Sequence, residues 1–105
     1  MVRGDVHAVS LRRKRGRVQD GGRYAVIVQD DDLLALSTVV VCPTSRSALA
    51  ASFHPEIELN GERTRVLCEM VGAADAEMLG EQVGHLSLDE LVEVDDALGL
   101  VLGLR

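Results

Sequence analysis

The sequence contains almost no aromatic residues: one tyrosine, one phenylalanine and no tryptophan occur among its 105 residues. Proteins that hold single-stranded nucleic acids often stack the bases on several aromatic rings. Tyr24 and Phe53 are too few for such a stacking surface. Any recognition of a nucleic acid therefore has to rest on hydrogen bonds and charge.

Cysteine and proline are also scarce, at two residues each. Cys42 and Cys68 lie far apart in the sequence, each inside an apolar run, without a Cys-x-x-Cys motif or a nearby pair of histidines. This arrangement predicts two buried free thiols rather than a disulfide or metal ligands. We therefore expect neither a metal nor another cofactor.

Long apolar runs are missing as well. No segment approaches the roughly 18 apolar residues that a membrane span needs, and the amino terminus lacks the continuous apolar stretch of a secretory signal. We expect a cytoplasmic protein that makes no membrane contact. A length of 105 residues suits a single domain, residues 1–105, with one modest core.

Positive charge is concentrated at one end of the chain, although the net charge is −6. Seven of the eleven lysines and arginines fall within the first 23 residues, and twelve of the seventeen acids lie from Glu56 onward. This distribution predicts one basic surface that could meet phosphates and an acidic remainder that would repel them. The basic residues concerned are Arg3, Arg12, Arg13, Lys14, Arg15, Arg17 and Arg23.

Alternating and β-branched stretches predict several antiparallel strands. Residues 5–11 alternate apolar and polar side chains, and residues 23–29 and 35–42 are β-branched runs joined by the acidic turn 30–34. The segment 12–22 is basic, contains glycine and shows no periodicity, which is typical of a surface loop.

The middle of the chain predicts a second hairpin. Residues 43–55 contain both prolines and have no clear period, so we expect a second long loop there. Residues 56–60 and 64–71 then form two strands around a short turn, since Asn60-Gly61 is a strong hairpin signal.

A helix closes the sequence, after a short helical turn near residues 75–79 and a strand that ends near Leu86. Ser87 and Glu90 have the spacing of a capping box, which predicts the first turn of this helix. Its apolar face consists of Leu91, Val94, Leu98 and Val101, and we expect the helix to be broken only at Gly99 and Gly103. The expected fold is mainly β with a C-terminal α-helix, a small antiparallel sheet or half-open barrel.

Four stretches carry a family resemblance that runs nearly from end to end. They are residues 3–11 (RGDVHAVSL), 16–29 (GRVQDGGRYAVIVQ), 39–45 (VVVCPTS) and 83–104 (VGHLSLDELVEVDDALGLVLGL). In this order and at this spacing they resemble the MazF/PemK/Kid family of toxin endoribonucleases. The last stretch is the most specific of the four.

The resemblance implies a homodimer with a small barrel of the MazF/CcdB type. It also implies metal-independent cleavage of single-stranded RNA at short sequence motifs, and neutralisation by a cognate MazE-like antitoxin. Arg23 falls on the family's catalytic arginine and Thr44 on its catalytic threonine. The residues expected to bind substrate are Arg12, Arg13, Lys14, Arg15, Arg17, Gln19 and Ser45.

The chemistry of these side chains suits this reaction in part. Cleavage of RNA through its 2′-hydroxyl requires a base, stabilisation of charge on the phosphate and protonation of the leaving oxygen. Arg23 can donate two hydrogen bonds to a phosphate and Thr44 one, and antiparallel pairing of their strands could bring them together. His54 is chemically suited to proton transfer. Nothing in the sequence places it beside Arg23, and a solvated loop histidine is the alternative.

The chain also departs from the family pattern, which leaves a second function open. Val18 stands where the family has an acidic residue in its loop motif, and Gly72 stands where a basic residue is usual. Both favour a non-catalytic, CcdB-like or degenerate MazF-like protein that binds a protein partner, whereas Arg23 and Thr44 oppose it. A third possibility is a plain RNA-binding module, for which the basic loop would suffice.

Overall fold

The computed structural model describes residues 1–10 and 23–104, and within these ranges it contains seven β-strands and one α-helix. The strands are β1 (Asp5–Val9), β2 (Tyr24–Ile27), β3 (Thr38–Ser45), β4 (Glu56–Leu59), β5 (Glu62–Val66), β6 (Gly72–Asp75) and β7 (Leu79–His85), and the helix is α1 (Leu88–Leu102). The expectation of a mainly β protein with a C-terminal helix is confirmed.

All seven strands belong to one antiparallel sheet, in the order β4-β5-β3-β2-β1-β7, with β6 also paired to β3. β3 is the centre of this sheet because it pairs with three strands. Along one edge it meets β2, for example through Val26 and Cys42. Along the other edge it meets β6 with its first half and β5 with its second half. The predicted β2–β3 and β4–β5 hairpins are both present.

Apolar side chains fill both faces of the curled sheet. The larger core lies under α1, which contributes Val94, Ala97 and Leu98. A smaller core on the opposite face contains Ile27 and Val39. This second core explains why β2 and β3 are continuous β-branched runs: strands buried on both faces have no need of polar residues at alternate positions.

α1 begins as predicted. The Ser87 hydroxyl accepts a hydrogen bond from the backbone N–H of Glu90, and the Glu90 carboxylate accepts one from the N–H of Ser87, which completes the capping box. The expectation that Gly99 breaks the helix is wrong, since it lies inside α1. Gly103 does end the helix, in the left-handed conformation with φ 69°, which glycine adopts without strain.

The predicted boundary of the second loop is wrong at its start, because β3 continues through Pro43 to Ser45. The Pro43 carbonyl accepts a hydrogen bond from the N–H of Leu67 at 2.8 Å. The carbonyl of Pro43 therefore points toward β5 and away from β2. In an antiparallel strand the N–H and C=O of one residue point the same way. The donor that proline lacks is therefore missing only on the β5 side, and pairing with β2 is undisturbed.

The predicted strand 64–71 is wrong in its second half. Cys68–Met70 forms a 3-10 turn, after which the chain re-enters the sheet as β6. The turn is needed because β3 exchanges β5 for β6 as its partner at this point. β6 has the sequence Gly-Ala-Ala-Asp, which lacks β-branched residues and gives no strand signal.

Both cysteines are fully buried free thiols in the larger core, as expected. The register that pairs Thr44 with Val66 continues through the bond between Leu67 and Pro43, so it brings Cys68 opposite Cys42. The interaction with the neighbouring Cys68 thiol, together with burial, raises the pKa of Cys42, and the interaction with Cys42 lowers the pKa of Cys68. The pair is part of the packing beneath β3.

Candidate active site

A cavity of about 430 Å³ opens where the ends of β2 and β3 meet the β4–β5 hairpin. Its residues come from four strands (β2 to β5), from residues that directly flank β2, β3 and β5, from the β4–β5 turn and from the 3-10 turn after β5. They are Arg23, Tyr24, Pro43, Thr44, Ser45, Arg46, Leu59, Asn60, Glu62, Thr64, Leu67 and Met70. Most of them carry a polar group, so the cavity suits a charged, hydrogen-bonding ligand.

Arg23 and Thr44, the two residues predicted to be catalytic, both line this cavity. Arg23 immediately precedes β2, and its carbonyl accepts a hydrogen bond from the N–H of Val9 at 2.8 Å, which fixes its main chain to β1. The register that pairs Ala25 with Pro43 brings Thr44 opposite Tyr24, one residue from Arg23. The hairpin therefore holds a guanidinium and a hydroxyl group at one end of the cavity.

The hydroxyl group of Thr44 is only weakly engaged within the protein. Thr44 is half-buried, and its Oγ1 donates to the carbonyl of Tyr24 at 3.4 Å. Hydroxyl hydrogen bonds are usually near 2.7 to 2.8 Å, so this bond is long and weak. A ligand oxygen in the cavity can replace it at little cost.

Ser45, predicted to bind substrate, also lines the cavity, and its hydroxyl lies 3.2 Å from that of Ser47. The other residues predicted to bind substrate lie outside the described residues. They are Arg12, Arg13, Lys14, Arg15, Arg17 and Gln19. Their role stays a prediction from the sequence.

His54, the histidine considered for proton transfer, does not line the cavity. Both of its ring nitrogens are engaged: Nδ1 lies 2.8 Å from the carbonyl of Leu49, and Nε2 lies 2.8 Å from a carboxylate oxygen of Glu69. The hydrogen bond to Glu69 is the main reason why the pKa of His54 is raised, and the same bond lowers the pKa of Glu69. His54 therefore ties the β3–β4 connection to the 3-10 turn after β5 rather than facing the site.

Besides Tyr24, which adjoins Arg23, four polar residues of the cavity were not predicted from the sequence: Arg46, Asn60, Glu62 and Thr64. Arg46 and Glu62 form an ion pair of 2.7 Å across the cavity. The signal for Arg46 was present, since it is an arginine only two residues after the predicted catalytic Thr44, just past the end of β3. The other three could be found only by knowing that β5 packs beside β3.

The charges around the cavity suit a phosphate. Within residues 1–10 and 23–104, Arg23 forms no ion pair with an acidic side chain, whereas Arg3 binds Asp95 and Arg65 binds Glu56. A guanidinium with planar, paired donors is the side chain best matched to phosphate oxygens. With the Thr44 hydroxyl beside it, the cavity can hold a phosphodiester group and stabilise added negative charge on it.

The described residues contain no group of three or more His, Cys, Asp or Glu side chains that could hold a metal ion. In the same part of the chain, no helix is long and apolar enough to cross a membrane.

Comparison with known proteins places the chain in a family. The family described as "PemK-like, MazF-like toxin of type II toxin-antitoxin system" matches residues 2–102. A Mycobacterium tuberculosis protein named as a candidate toxin is 37% identical over 106 residues, which cover 99% of both chains.

Solved structures share the fold at low sequence identity. An endoribonuclease in complex with its cognate antitoxin, from a mycobacterial species, superposes with a TM-score of 0.83 at 17% identity, over 100% of this chain and 97% of that one. MazF in a MazE–MazF complex from Deinococcus radiodurans gives 0.81 at 23% identity, over 100% and 97%. The toxin MazF-mt6 of Mycobacterium tuberculosis gives 0.79 at 18%, over 96% and 98%. The expected MazF type of fold is confirmed, and the chain belongs to the family of PemK-like and MazF-like toxins of type II toxin-antitoxin systems.

Proposed function

We propose that this protein is the toxin of a type II toxin-antitoxin system and acts as an endoribonuclease that cleaves single-stranded RNA without a metal ion. The observation that carries the proposal is the meeting of Arg23 and Thr44 in one cavity at the open end of the β2–β3 hairpin. Membership of the toxin family, and fold neighbours named as endoribonucleases, support it.

In the proposed reaction the 2′-hydroxyl of a ribose gives its proton to water as its oxygen attacks the adjacent phosphorus, and the bond from phosphorus to the 5′-oxygen of the next nucleotide breaks, with that oxygen taking a proton from water. Arg23 binds the phosphate oxygens through two N–H donors and compensates the charge that builds up on them. Thr44 gives up its long bond to the Tyr24 carbonyl and donates to the same phosphate. The products are a 2′,3′-cyclic phosphate and a 5′-hydroxyl group.

Substrate binding is proposed to extend from the cavity to the basic segment before β2. Ser45 provides a further hydroxyl group in the cavity. Arg12, Arg13, Lys14, Arg15, Arg17 and Gln19 would contact the RNA backbone, because phosphate contacts supply most of the sequence-independent affinity of such proteins.

The proposed partners are a second copy of the chain and an antitoxin. Fold neighbours of this chain are described as a toxin in complex with its cognate antitoxin and as MazE–MazF complexes. We propose that a MazE-like antitoxin neutralises this protein by covering the cavity, where an acidic segment would compete with RNA for the arginines.

The test is an incubation of the purified protein with a long unstructured RNA in the presence of EDTA, followed by mapping of the new ends. Wild type is compared with Arg23→Ala and Thr44→Ala. Discrete cuts that end in 2′,3′-cyclic phosphates and disappear in both variants are the expected result. The Arg63→Ala variant serves as the matched control, because Arg63 is an exposed arginine of β5 that does not line the cavity.

Intact RNA at high protein concentration would contradict the proposal. It would favour a non-catalytic, CcdB-like or degenerate MazF-like protein that acts by binding a protein partner. If Arg23→Ala and Thr44→Ala both still cleave RNA, the proposed activity is correct but the catalytic site lies elsewhere in the protein.

A further inference from the structure

The cavity contains a second arginine whose charge is already matched by a carboxylate. Nη1 of Arg46 lies 2.7 Å from Oε1 of Glu62, and both side chains are largely exposed, at 68% and 63%. Both residues line the cavity together with Arg23 and Thr44. An exposed ion pair of this kind contributes little to stability, so it can be broken cheaply when another anion arrives.

Arg46 reaches the same cavity as Thr44 because it is the first residue after β3. The strand pairs Thr44 with Val66 and ends at Ser45. Arg46 is therefore within about 7 Å of Thr44 along the main chain, and both residues line the cavity. An RNA strand with one phosphate at Thr44 could thus place its neighbouring phosphate near Arg46.

Glu62 reaches Arg46 from the facing hairpin. It is the first residue of β5 and follows the two-residue turn Asn60-Gly61. Its carboxylate presents to the guanidinium the same kind of oxygen atoms that a phosphate would present. It also places a negative charge in the cavity, and this charge repels a phosphodiester group.

We propose that Arg46 binds the RNA phosphate next to the cleaved one, and that Glu62 is a built-in competitor that occupies Arg46 when the cavity is empty. This inference rests on the proposed function as an RNA-cleaving toxin. RNA binding exchanges the Arg46–Glu62 ion pair for an Arg46–phosphate contact. Glu62 thereby lowers the affinity for RNA. It disfavours binding modes of the RNA in which no phosphate replaces the Glu62 carboxylate at Arg46.

The same hairpin offers a matched control pair. Arg63 lies one residue after Glu62 and pairs with Glu56 at 3.3 Å, with its side chain 83% exposed. Neither Arg63 nor Glu56 lines the cavity. Replacing Arg63 removes the same charge from the same strand without touching the proposed phosphate position.

The experiment measures binding of a random-sequence single-stranded RNA with 2′-O-methyl riboses, which cannot be cleaved, by fluorescence anisotropy at several salt concentrations. Glu62→Gln is expected to tighten binding about three- to fivefold. Arg46→Gln is expected to weaken binding and to reduce the slope of log K against log salt by about 0.7, the value for one phosphate contact on a single strand. Arg63→Gln should leave both affinity and slope nearly unchanged.

The double variant decides whether Glu62 acts through Arg46. With Arg46→Gln in place, Glu62→Gln should no longer tighten binding, because its competitor role needs the arginine. If Glu62→Gln still tightens RNA binding in the double variant, Glu62 acts by repelling the RNA and not by competing for Arg46. That result would overturn the proposal. An unchanged salt slope in Arg46→Gln would overturn it as well.

Failure of the proposed function can be told apart from failure of this inference. Wild-type protein that neither binds nor cleaves RNA overturns both. Wild-type protein that cleaves RNA, with Arg46→Gln and Glu62→Gln indistinguishable from it, overturns only the phosphate exchange. If the variants change binding of a polyglutamate peptide but not of RNA, the pair belongs to a protein interface and the proposal is again overturned.

Discussion

His54 and Glu69 are joined side chain to side chain, with Nε2 of His54 lying 2.8 Å and 3.0 Å from the two carboxylate oxygens of Glu69. The imidazole comes from the connection between β3 and β4, and the carboxylate from the 3-10 turn after β5. The bond raises the pKa of His54 above its ordinary value of 6.5 and lowers the pKa of Glu69 below its ordinary value of 4.5.

These two shifts predict a pH-dependent contribution to stability. Because the pKa of His54 is raised on folding, its contribution is complete below about pH 6.5 and is lost as the pH rises through the folded pKa. Because the pKa of Glu69 is lowered, its contribution is complete above about pH 4.5 and is lost as the pH falls. The pair therefore stabilises the fold most between these two values.

We expect Glu69→Gln to lower the melting temperature most near pH 5.5, midway between the two ordinary values, and less as the pH rises above neutrality. An NMR titration gives the direct measurement: the pKa of His54 should fall back toward 6.5 in Glu69→Gln. An equal pKa of His54 in wild type and in Glu69→Gln would show that the Glu69 carboxylate does not stabilise the protonated imidazole.

Two substitutions of Thr44 distinguish the contribution of its hydroxyl group from that of its branched shape. Thr44→Val keeps the branched side chain and removes the donor, and loss of one such donor to a transition state costs about 10²- to 10³-fold in kcat. Thr44→Ser keeps the donor and should retain most activity. The measurement is single-turnover RNA cleavage at saturating protein.

Unfolding measurements supply the control for Thr44. Its bond to the Tyr24 carbonyl is 3.4 Å long, so its loss should reduce the free energy of unfolding by less than about 1 kcal/mol. Equal cleavage rates in wild type and Thr44→Val would exclude Thr44 from the chemistry.

The turn between β4 and β5 should depend on Gly61. Asn60 and Gly61 both have positive φ, at 54° and 80°, which fits the two-residue hairpin turn that asparagine and glycine favour. A Cβ atom at Gly61 would meet no other atom within 4 Å, so only backbone strain opposes a substitution. We expect Gly61→Ala to lower the free energy of unfolding by about 1 kcal/mol, measured by urea denaturation.

Asn60→Gly is the matched control in this turn, because glycine accepts the same conformation. It should change the stability by only a few tenths of a kcal/mol, about the small cost of added freedom in the unfolded chain. A Gly61→Ala variant as stable as wild type would mean that the turn rearranges.

The thiols of Cys42 and Cys68 should be inert in the folded protein. Both are fully buried, so a reagent in solution cannot reach either sulfur. The interaction with Cys68, together with burial, raises the pKa of Cys42 and keeps it protonated, whereas the same interaction lowers the pKa of Cys68, so burial alone protects Cys68. We expect a disulfide reagent such as DTNB to label both residues only as fast as the protein unfolds, with rates that rise with urea. Rapid labelling of one thiol in native buffer would show that the core beneath β3 opens locally.

Charge reversal of the basic segment should weaken binding without removing the catalytic groups. Replacing Arg12, Arg13 and Lys14 with glutamate is expected to reduce affinity for both RNA and antitoxin and to lower the salt dependence of RNA binding. Cleavage at saturating protein should persist, because Arg23 and Thr44 are intact. Unchanged affinity for both partners would remove this segment from the binding surface.

Local chemistry made part of the fold predictable from the sequence. The capping box at Ser87 and Glu90 and the turn at Asn60-Gly61 depend on residues within a few positions of each other, and both are present as expected. Arg23 and Thr44 could be predicted to lie close together because they belong to two consecutive strands of one hairpin. The register of that hairpin places Thr44 opposite Tyr24, one residue from Arg23.

The features that escaped prediction depend on contacts between distant strands. The turn at Cys68–Met70 continues the run that starts at Thr64 and was predicted as a strand, and its conformation follows from the way β3 changes its partner from β5 to β6. Glu62 looked like an ordinary residue of a hairpin turn. Its place in the cavity requires the register between β3 and β5, which are separated by a long connection.

The pairing of β1 with β7 has a consequence for how the protein is made. Asp5 and His85 are 80 residues apart, and their side chains are joined at 2.7 Å. During synthesis one edge of β1 stays unpaired until β7 has left the ribosome. The ion pair between Arg3 and Asp95 forms later still, because Asp95 lies on α1. Proteins with such distant contacts complete their folding late. We therefore expect a chain that ends before β7 to leave one edge of β1 unpaired and to fall short of the folded state.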